Sequence, residues 1–289
     1  MAKTPHRHHY VPRMVQRNFL NEEGGLYFWS RKLPVGEVRS TTPANLFVED
    51  NLYAMVDSDG ARDAYVELGF SRLESMAAPF IDELLRVVRH GMTPIFDAGS
   101  WDFWHHYNYF AQKRASAWHD RFLTQDELFM VMKSIATEEQ WAEHERMWED
   151  NREEALRVMR NSRIAAQVDP PPDDLLAELR TKGLVIYVAP ARTSFILGDD
   201  VGASARISAG RVNSMPIACD VAVGYSAETR SVRVERLSSS DVRRMNEAMT
   251  KNSYLIAGRS RAQIASLSRI SYVRPHILKG WPHHPKGGQ

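Results

Sequence analysis

The chain has 289 residues, of which 43% are hydrophobic and 25% charged. This is the composition of a globular protein with a full-sized core, and it argues against a mainly disordered chain. With 37 basic and 36 acidic residues the formal net charge is +1, which gives no case for a nucleic-acid coat protein or a membrane-surface protein. A local basic groove is still allowed.

The single cysteine, Cys219, excludes an intramolecular disulfide framework and a zinc site built from several cysteines. No apolar run approaches the roughly 18 residues that a membrane span needs. The N-terminus is basic but has no apolar stretch behind it, so it does not resemble a signal peptide. We therefore expect a cytoplasmic protein that does not engage a membrane.

The first 60 residues predict a β-rich segment. The apolar run Leu26–Trp29 follows the turn signal Gly24-Gly25, and a second short strand is predicted over 51–56. Residues 61–183 predict a long helical region instead. Apolar side chains recur at steps of three and four from Tyr65 to Val88, and further helices are predicted from 97 to 122, from about 124, and over 138–162.

From residue 184 the pattern changes to β. The continuous apolar run Leu184–Val188 is typical of a strand buried on both faces. Short strands are predicted over 194–197, 215–218, 221–225 and 231–235, with a hairpin through 226–230, then a helix over 239–251 and a strand over 254–257. The prediction is an α+β fold with a mainly antiparallel C-terminal sheet and flanking helices, in which 1–60 and 184–289 pack together as one domain.

The eleven histidines are clustered, and a cluster invites a metal-binding interpretation because histidine is the commonest metal ligand. His283 and His284 lie in a proline-flanked tail, where we expect solvent-exposed side chains. His8 and His9 lead into Tyr10-Val11-Pro12, which predicts extended backbone because a residue before proline avoids the helical region.

The opening His8-His9-Tyr10-Val11-Pro12-Arg13, followed by Arg17-Asn18-Phe19, resembles a bacterial family known as domain of unknown function forty-two thirty-eight. Three further segments fit the resemblance: 45–53, the helix that carries Arg114, and Phe195–Asp200, where Gly198 and Val201 replace the usual serine and proline. A segment over 246–256 also matches. The family implies no activity, but it adds Arg17, Asn45, Asn252 and Asp199 as site candidates.

The same HHYVP opening is similar to the start of the β-hairpin in HNH-type nucleases. That resemblance implies that His8 binds a divalent metal (Mg, Mn or Zn) and that His9 is the general base that activates water against a phosphodiester bond. Adjacent residues on a strand point to opposite faces, so one imidazole could ligate while the other faces substrate. The chain departs from the nuclease motif at Ala54, where the motif carries a histidine after an asparagine equivalent to Asn45.

Two other positions are candidates on chemical grounds. Arg114 lies among aromatic residues on its predicted helix, so it should be semi-buried and paired, with Asp199 or Asp200 as expected partners. It is a candidate for the catalytic site or for a purely structural role. Asp199 follows an apolar strand end, where a carboxylate could bind a hard cation or simply form a turn.

Two functions remain open. The first is a metal-dependent nuclease that acts as a bacterial toxin or an antiphage effector. In this hypothesis His9 and Arg114 are catalytic residues, and His8 and Asp199 are metal ligands. The second is a non-enzymatic binding protein in which HHYVPR is a structural anchor. Convergence of the two histidines with Asp199 or Asn45 in an open cleft favours the enzyme, whereas ring nitrogens bonded to buried backbone groups favour the anchor. Nucleic acid and protein are both possible partners, and the sequence does not indicate the oligomeric state.

Overall fold

The structure is a computed structural model that describes residues 6–115, 130, 133–134 and 136–271, and at 144 and 147–149 the backbone alone. The fold is α+β. Its strands within the described residues are β1 Arg7–His9, β2 Leu26–Ser30, β3 Arg39–Thr41, β4 Val48–Asp50, β5 Met55–Val56, β6 Arg62–Asp63, β7 Gly183–Val188, β8 Leu197–Gly198, β9 Ala203–Ile207, β10 Gly210–Ala218, β11 Val221–Ser226, β12 Val232–Arg236 and β13 Leu255–Gly258.

The helices of the same residues are α1 Arg13–Arg17, α2 Tyr65–Arg89, α3 Ala98–Arg114, α4 Glu138–Ala165, α5 Asp173–Arg180, α6 Ser239–Asn252 and α7 Arg261–Leu267. The long helices were predicted, but α3 ends at Arg114 instead of at 122. Side chains cap the starts of two of them. Asp97 accepts from the N–H of Ser100 before α3, and Thr137 forms a capping box with Gln140 before α4. The predicted helix from about 124 lies outside the described residues. None of the helices described combines the length and apolarity that crossing a membrane requires.

A five-stranded sheet in the order β12-β7-β11-β10-β9 forms the centre of the fold. The prediction that 184–188 is buried on both faces is confirmed, because alternate side chains of β7 enter different cores. Leu184 and Ile186 pack with α2 and α3, whereas Val185 and Tyr187 pack with the N-terminal segment and α6. The N-terminal strand β2 pairs antiparallel with β13 in a second sheet, ordered β3-β2-β13-β8.

The predicted hairpin through 226–230 is wrong. Strand β12 pairs parallel with β7, in register Val232↔Leu184, and does not neighbour β11. The connection passes over the start of β7, where Gly183 lacks the Cβ atom that would collide with the carbonyl groups of Glu228 and Ser231. The N–H of Leu184 donates to the carbonyl of Ser231 at 2.8 Å. The close backbone approach at Gly183 therefore lets β12 lie on the side of β7 that faces away from β11.

Three shorter elements also differ from the prediction. Of the expected 51–56 strand only Met55–Val56 forms, and of the expected 194–197 strand only Leu197 pairs in a sheet, as part of β8. The edge strand β9 was not predicted at all. The pattern of β9 alternates between buried and exposed residues, but its apolar side chains are mostly alanines, whose signal is weak.

Candidate site around the HHYVPR segment

The HHYVPR segment is held in place by backbone pairing with a later part of the chain. Strand β1 pairs antiparallel with β4, with His8 opposite Glu49. Beyond the strand, the N–H of Tyr10 donates to the carbonyl of Phe47 at 3.0 Å. The histidine pair therefore lies against residues about 40 positions later in the chain, although it is close to the N-terminus.

His8 points inward and is completely buried. Its Nδ1 accepts the backbone N–H of Tyr53 at 2.8 Å, and its ring stacks on the Tyr53 ring with centroids 5.4 Å apart and planes 5° from parallel. Because a neutral imidazole has one nitrogen with a lone pair, Nε2 carries the proton. The metal-ligand role that the nuclease resemblance implies for His8 would therefore require this hydrogen bond to break.

His9 is half-buried and faces the other way. Its Nε2 lies 3.0 Å from the carbonyl oxygen of Pro43, which can only accept, so Nε2 donates and Nδ1 keeps the lone pair. Burial lowers the pKa of His9, and the charges of Arg13 and Arg114 act in the same direction, against the effect of the Pro43 carbonyl. His9 is therefore neutral near pH 7, which is the protonation state that a general base needs.

Arg114 is the last residue of α3 and is buried, with 3% of its surface exposed. Its Nε donates to the carbonyl of His9 at 2.7 Å, and its Nη1 forms an ion pair with Glu74 of α2. The guanidinium lies over the rings of Phe70, at 4.9 Å, and Tyr53, at 5.8 Å. Burial alone would lower the pKa of Arg114, but the acidic groups around it outweigh burial and raise that pKa.

The prediction that Arg114 has a partner outside its own helix is confirmed, but the expected partner is wrong. Glu74 takes the place of Asp199 or Asp200 because α2 runs beside the end of α3, whereas Asp199 bonds to the strand β13. The Oδ1 of Asp199 accepts the N–H of Tyr254 at 2.9 Å. Its own N–H donates to the carbonyl of Leu255 at 3.1 Å.

Glu67 is the second carboxyl group near Arg114. It lies two helical turns before Glu74 on the same face of α2. Burial raises the pKa of Glu67 to about 7, although the positive charge of Arg114 opposes this rise. Its Oε2 is buried without a hydrogen-bond partner among the described residues. The cluster therefore combines one carboxylate paired with arginine and one carboxyl group that titrates near neutral pH.

The charge of Asp199 acts on Tyr10 of the HHYVPR segment. Burial raises the pKa of Asp199 to about 6. Burial also raises the pKa of Tyr10, and the charge of Asp199 contributes to this rise. The cavity beside Tyr10, lined also by Tyr107 and Asp200, has a volume of about 30 Å³. That volume corresponds to about one water molecule, so the cavity does not admit a nucleotide.

The remaining candidates lie on different elements of the fold. Asn45 is exposed and its Oδ1 accepts from Arg7 at 3.1 Å. Arg17 is exposed at the end of α1. Asn252 ends α6 and lines an open pocket beside β9.

The nuclease resemblance implies a metal site that includes His8 and Asp199. Among the described residues, no three His, Cys, Asp or Glu side chains come together as a group that could hold a metal ion. His8 uses its Nδ1 lone pair on the N–H of Tyr53, and the Oδ1 of Asp199 accepts the N–H of Tyr254, just before β13. The side chains of His119 and His144 lie outside the described set.

The sequence analysis did not single out the residues that surround Arg114. Tyr53, Phe70 and Glu74 all contact its side chain, and Glu67 lies nearby. A signal for three of them was present, because Glu67, Phe70 and Glu74 have helical spacing within the predicted helix. Acidic groups on the same face as a buried aromatic residue need a cationic partner.

The chain matches the family described as "Protein of unknown function (DUF4238)" over residues 7–262. It therefore belongs to this family, as the HHYVPR opening indicated. No curated protein and no solved structure matches the chain.

Proposed function

We propose that the protein is a non-enzymatic binding protein in which the HHYVPR segment is a structural anchor. The observation that supports this proposal is that both histidines bond to backbone groups. His8 accepts from the N–H of Tyr53, and His9 donates to the carbonyl of Pro43. Arg114 adds a third link through the carbonyl of His9. A bacterial, cytoplasmic setting remains part of this proposal.

The anchor links three elements that are far apart in the sequence. His8 stacks on Tyr53, the Tyr53 hydroxyl donates to the Arg114 carbonyl at 3.1 Å, and Arg114 pairs with Glu74. Strand β1, helix α3 and helix α2 are thereby joined around one buried cation. A network of this kind, with its hydrogen bonds satisfied, stabilises a single arrangement of the elements it joins.

The test combines metal content with cleavage. The purified full chain is dialysed separately with Mg²⁺, Mn²⁺ and Zn²⁺, its metal content is measured, and it is incubated with plasmid DNA, single-stranded DNA and RNA. We expect no stoichiometric metal and no cut products. His8→Ala should lower the thermal unfolding midpoint, because the N–H of Tyr53 loses its buried partner. Stoichiometric metal that disappears in His8→Ala would contradict the proposal.

We propose a metal-dependent nuclease as the second candidate, with His9 as its general base. The specific observation in its favour is the state of His9, whose Nδ1 lone pair is available while the bond from Nε2 to Pro43 fixes the ring. His9→Ala should then lower cleavage by roughly 10²–10⁴-fold without unfolding the protein. Thr42→Ala, an exposed change in the neighbouring loop outside the candidate site, serves as the matched control. Equal cleavage by wild type and His9→Ala would remove this candidate.

A further inference from the structure

An open pocket of about 280 Å³ lies between the edge strand β9 and helix α6, away from the contacts made by the HHYVPR segment. Its walls carry Arg206 from the strand and Arg244, Lys251 and Asn252 from one face of the helix. The three cationic side chains are exposed. The pocket is about nine times larger than the cavity beside Tyr10, so a ligand larger than water can enter it.

The positive charge of this pocket is only partly balanced. Its one acidic lining residue, Glu247, is engaged by Arg243 at 2.6 Å. Arg244 lies 3.4 Å from Asp241, whose carboxylate also accepts two hydrogen bonds from Ser208. Within the part of the chain that the structure describes, neither Arg206 nor Lys251 has a carboxylate at ion-pair distance.

A second like charge lies directly opposite Arg206. Strands β9 and β10 pair antiparallel with Arg206 opposite Arg211. Like charges in this position destabilise a sheet. Arg211 is held toward β9 by a hydrogen bond from its Nε to the Ser204 hydroxyl at 2.9 Å, and Ser204 lines the pocket. The fold thus keeps two arginines together beside the pocket, and a bound anion would relieve their repulsion.

We propose that this pocket binds the phosphates of a single-stranded nucleic acid. Arginine guanidinium groups match the oxygen geometry of phosphate. Arg244 and Lys251 are seven residues apart on α6, which corresponds to about 10.5 Å along the helix, so the cations extend over more than one phosphate. Among the described residues the pocket lining includes no aromatic ring that could stack on a base, so the contacts are to the phosphate backbone and independent of sequence.

The inference rests on the proposed function, since it names the partner of a protein that binds without cutting. The full chain is titrated into a fluorescently labelled single-stranded oligonucleotide at several NaCl concentrations between about 50 and 200 mM, and binding is followed by anisotropy. For single strands the slope of log K against log salt is about −0.7 per phosphate contact. Arg206→Gln and Lys251→Gln should each make the slope shallower by about 0.7, and the double variant by about 1.4.

Arg236→Gln is the matched control. Arg236 is also an exposed arginine on an edge strand of the same sheet, but on the opposite edge, in β12. It should bind as wild type does. All of these side chains are exposed, so none of the variants should lower the thermal unfolding midpoint, and a loss of binding reports the pocket.

Three results would overturn the inference: no binding of the oligonucleotide by wild type, equal weakening by Arg236→Gln, or binding only to vesicles that contain anionic lipid. The last result would assign the pocket to a membrane surface. The same reactions are run on a denaturing gel. Cut products together with the expected slopes would contradict the non-enzymatic function and leave the pocket assignment intact, whereas absent binding without cutting would contradict the pocket alone.

Discussion

Replacing Arg114 by methionine removes the charge of the buried cluster while keeping a long side chain. Arg114 is 3% exposed, and its partner Glu74 has a side chain that is 26% exposed. The substitution leaves Glu74 without its cation and the carbonyl of His9 without a donor. Removing one member of a buried ion pair costs about 3–5 kcal/mol. We expect a loss of that size, and it already includes the lost hydrogen bond to His9.

The measurement is thermal unfolding followed by circular dichroism, with chemical denaturation for the free energy. For a chain of this size 1 kcal/mol corresponds to about 2–4 °C, so Arg114→Met should lower the unfolding midpoint by about 6–20 °C. Arg86→Met is the matched control, because Arg86 also pairs with a glutamate of α2, Glu83, but both side chains are exposed. Its unfolding midpoint should stay at that of wild type.

A double-mutant cycle identifies the pair itself. If Glu74 is the partner, adding Glu74→Gln to Arg114→Met should cost less than the sum of the two single changes, by about 0.5–3 kcal/mol. If Arg114→Met unfolds at the temperature of Arg86→Met, or if the two changes are additive, then the buried ion pair does not stabilise the fold. The anchor proposal would then lose its central contact.

Two further outcomes are expected. Burial raises the pKa of Glu67 to about 7 from an ordinary value of 4.5, so the folded state holds a proton that the unfolded state releases, and stability falls as the pH rises between these values. Glu67→Gln should therefore raise the unfolding midpoint at pH 8 and change it little at pH 4; an equal effect at both values would contradict the assigned burial. Gly183→Ala should destabilise the protein by about 1–3 kcal/mol in urea titrations, because its Cβ meets the carbonyl groups of Glu228 and Ser231. Gly210→Ala is a control with open space around the Cβ but a positive φ of 118°, and it should report backbone strain alone.

Most of the fold could be predicted from local patterns. The apolar period of three and four from Tyr65 to Val88 determined α2, and the run Leu184–Val188 determined the central strand. Strand order could not be predicted, because it depends on where a connection crosses. The link from β11 to β12 has the length of a hairpin, and only the close approach at Gly183 shows that it passes over β7.

The candidate site could be predicted only in part, for a related reason. The need of Arg114 for a partner follows from its aromatic surroundings. Pro12 restricts only Val11, whereas the strand at His8 and His9 depends on pairing with β4. The identity of that partner depends on how α2 and α3 pack, which is a tertiary property. The sequence indicated Asp199 as the partner of Arg114 because it follows a predicted strand. In the structure the Asp199 carboxylate accepts the N–H of Tyr254 instead.

The anchor and the basic pocket depend on different kinds of interaction, so their effects should be separable. Around Arg114 the charges are buried and paired, and a change there alters the free energy of unfolding. Around Arg206 and Lys251 the charges are exposed and without carboxylate partners among the described residues, so a change there costs little stability. The repulsion between Arg206 and Arg211, which lie opposite each other, is relieved by an anionic partner. Variants of the first set should therefore lower the unfolding midpoint, and variants of the second set should lower only the salt-dependent binding.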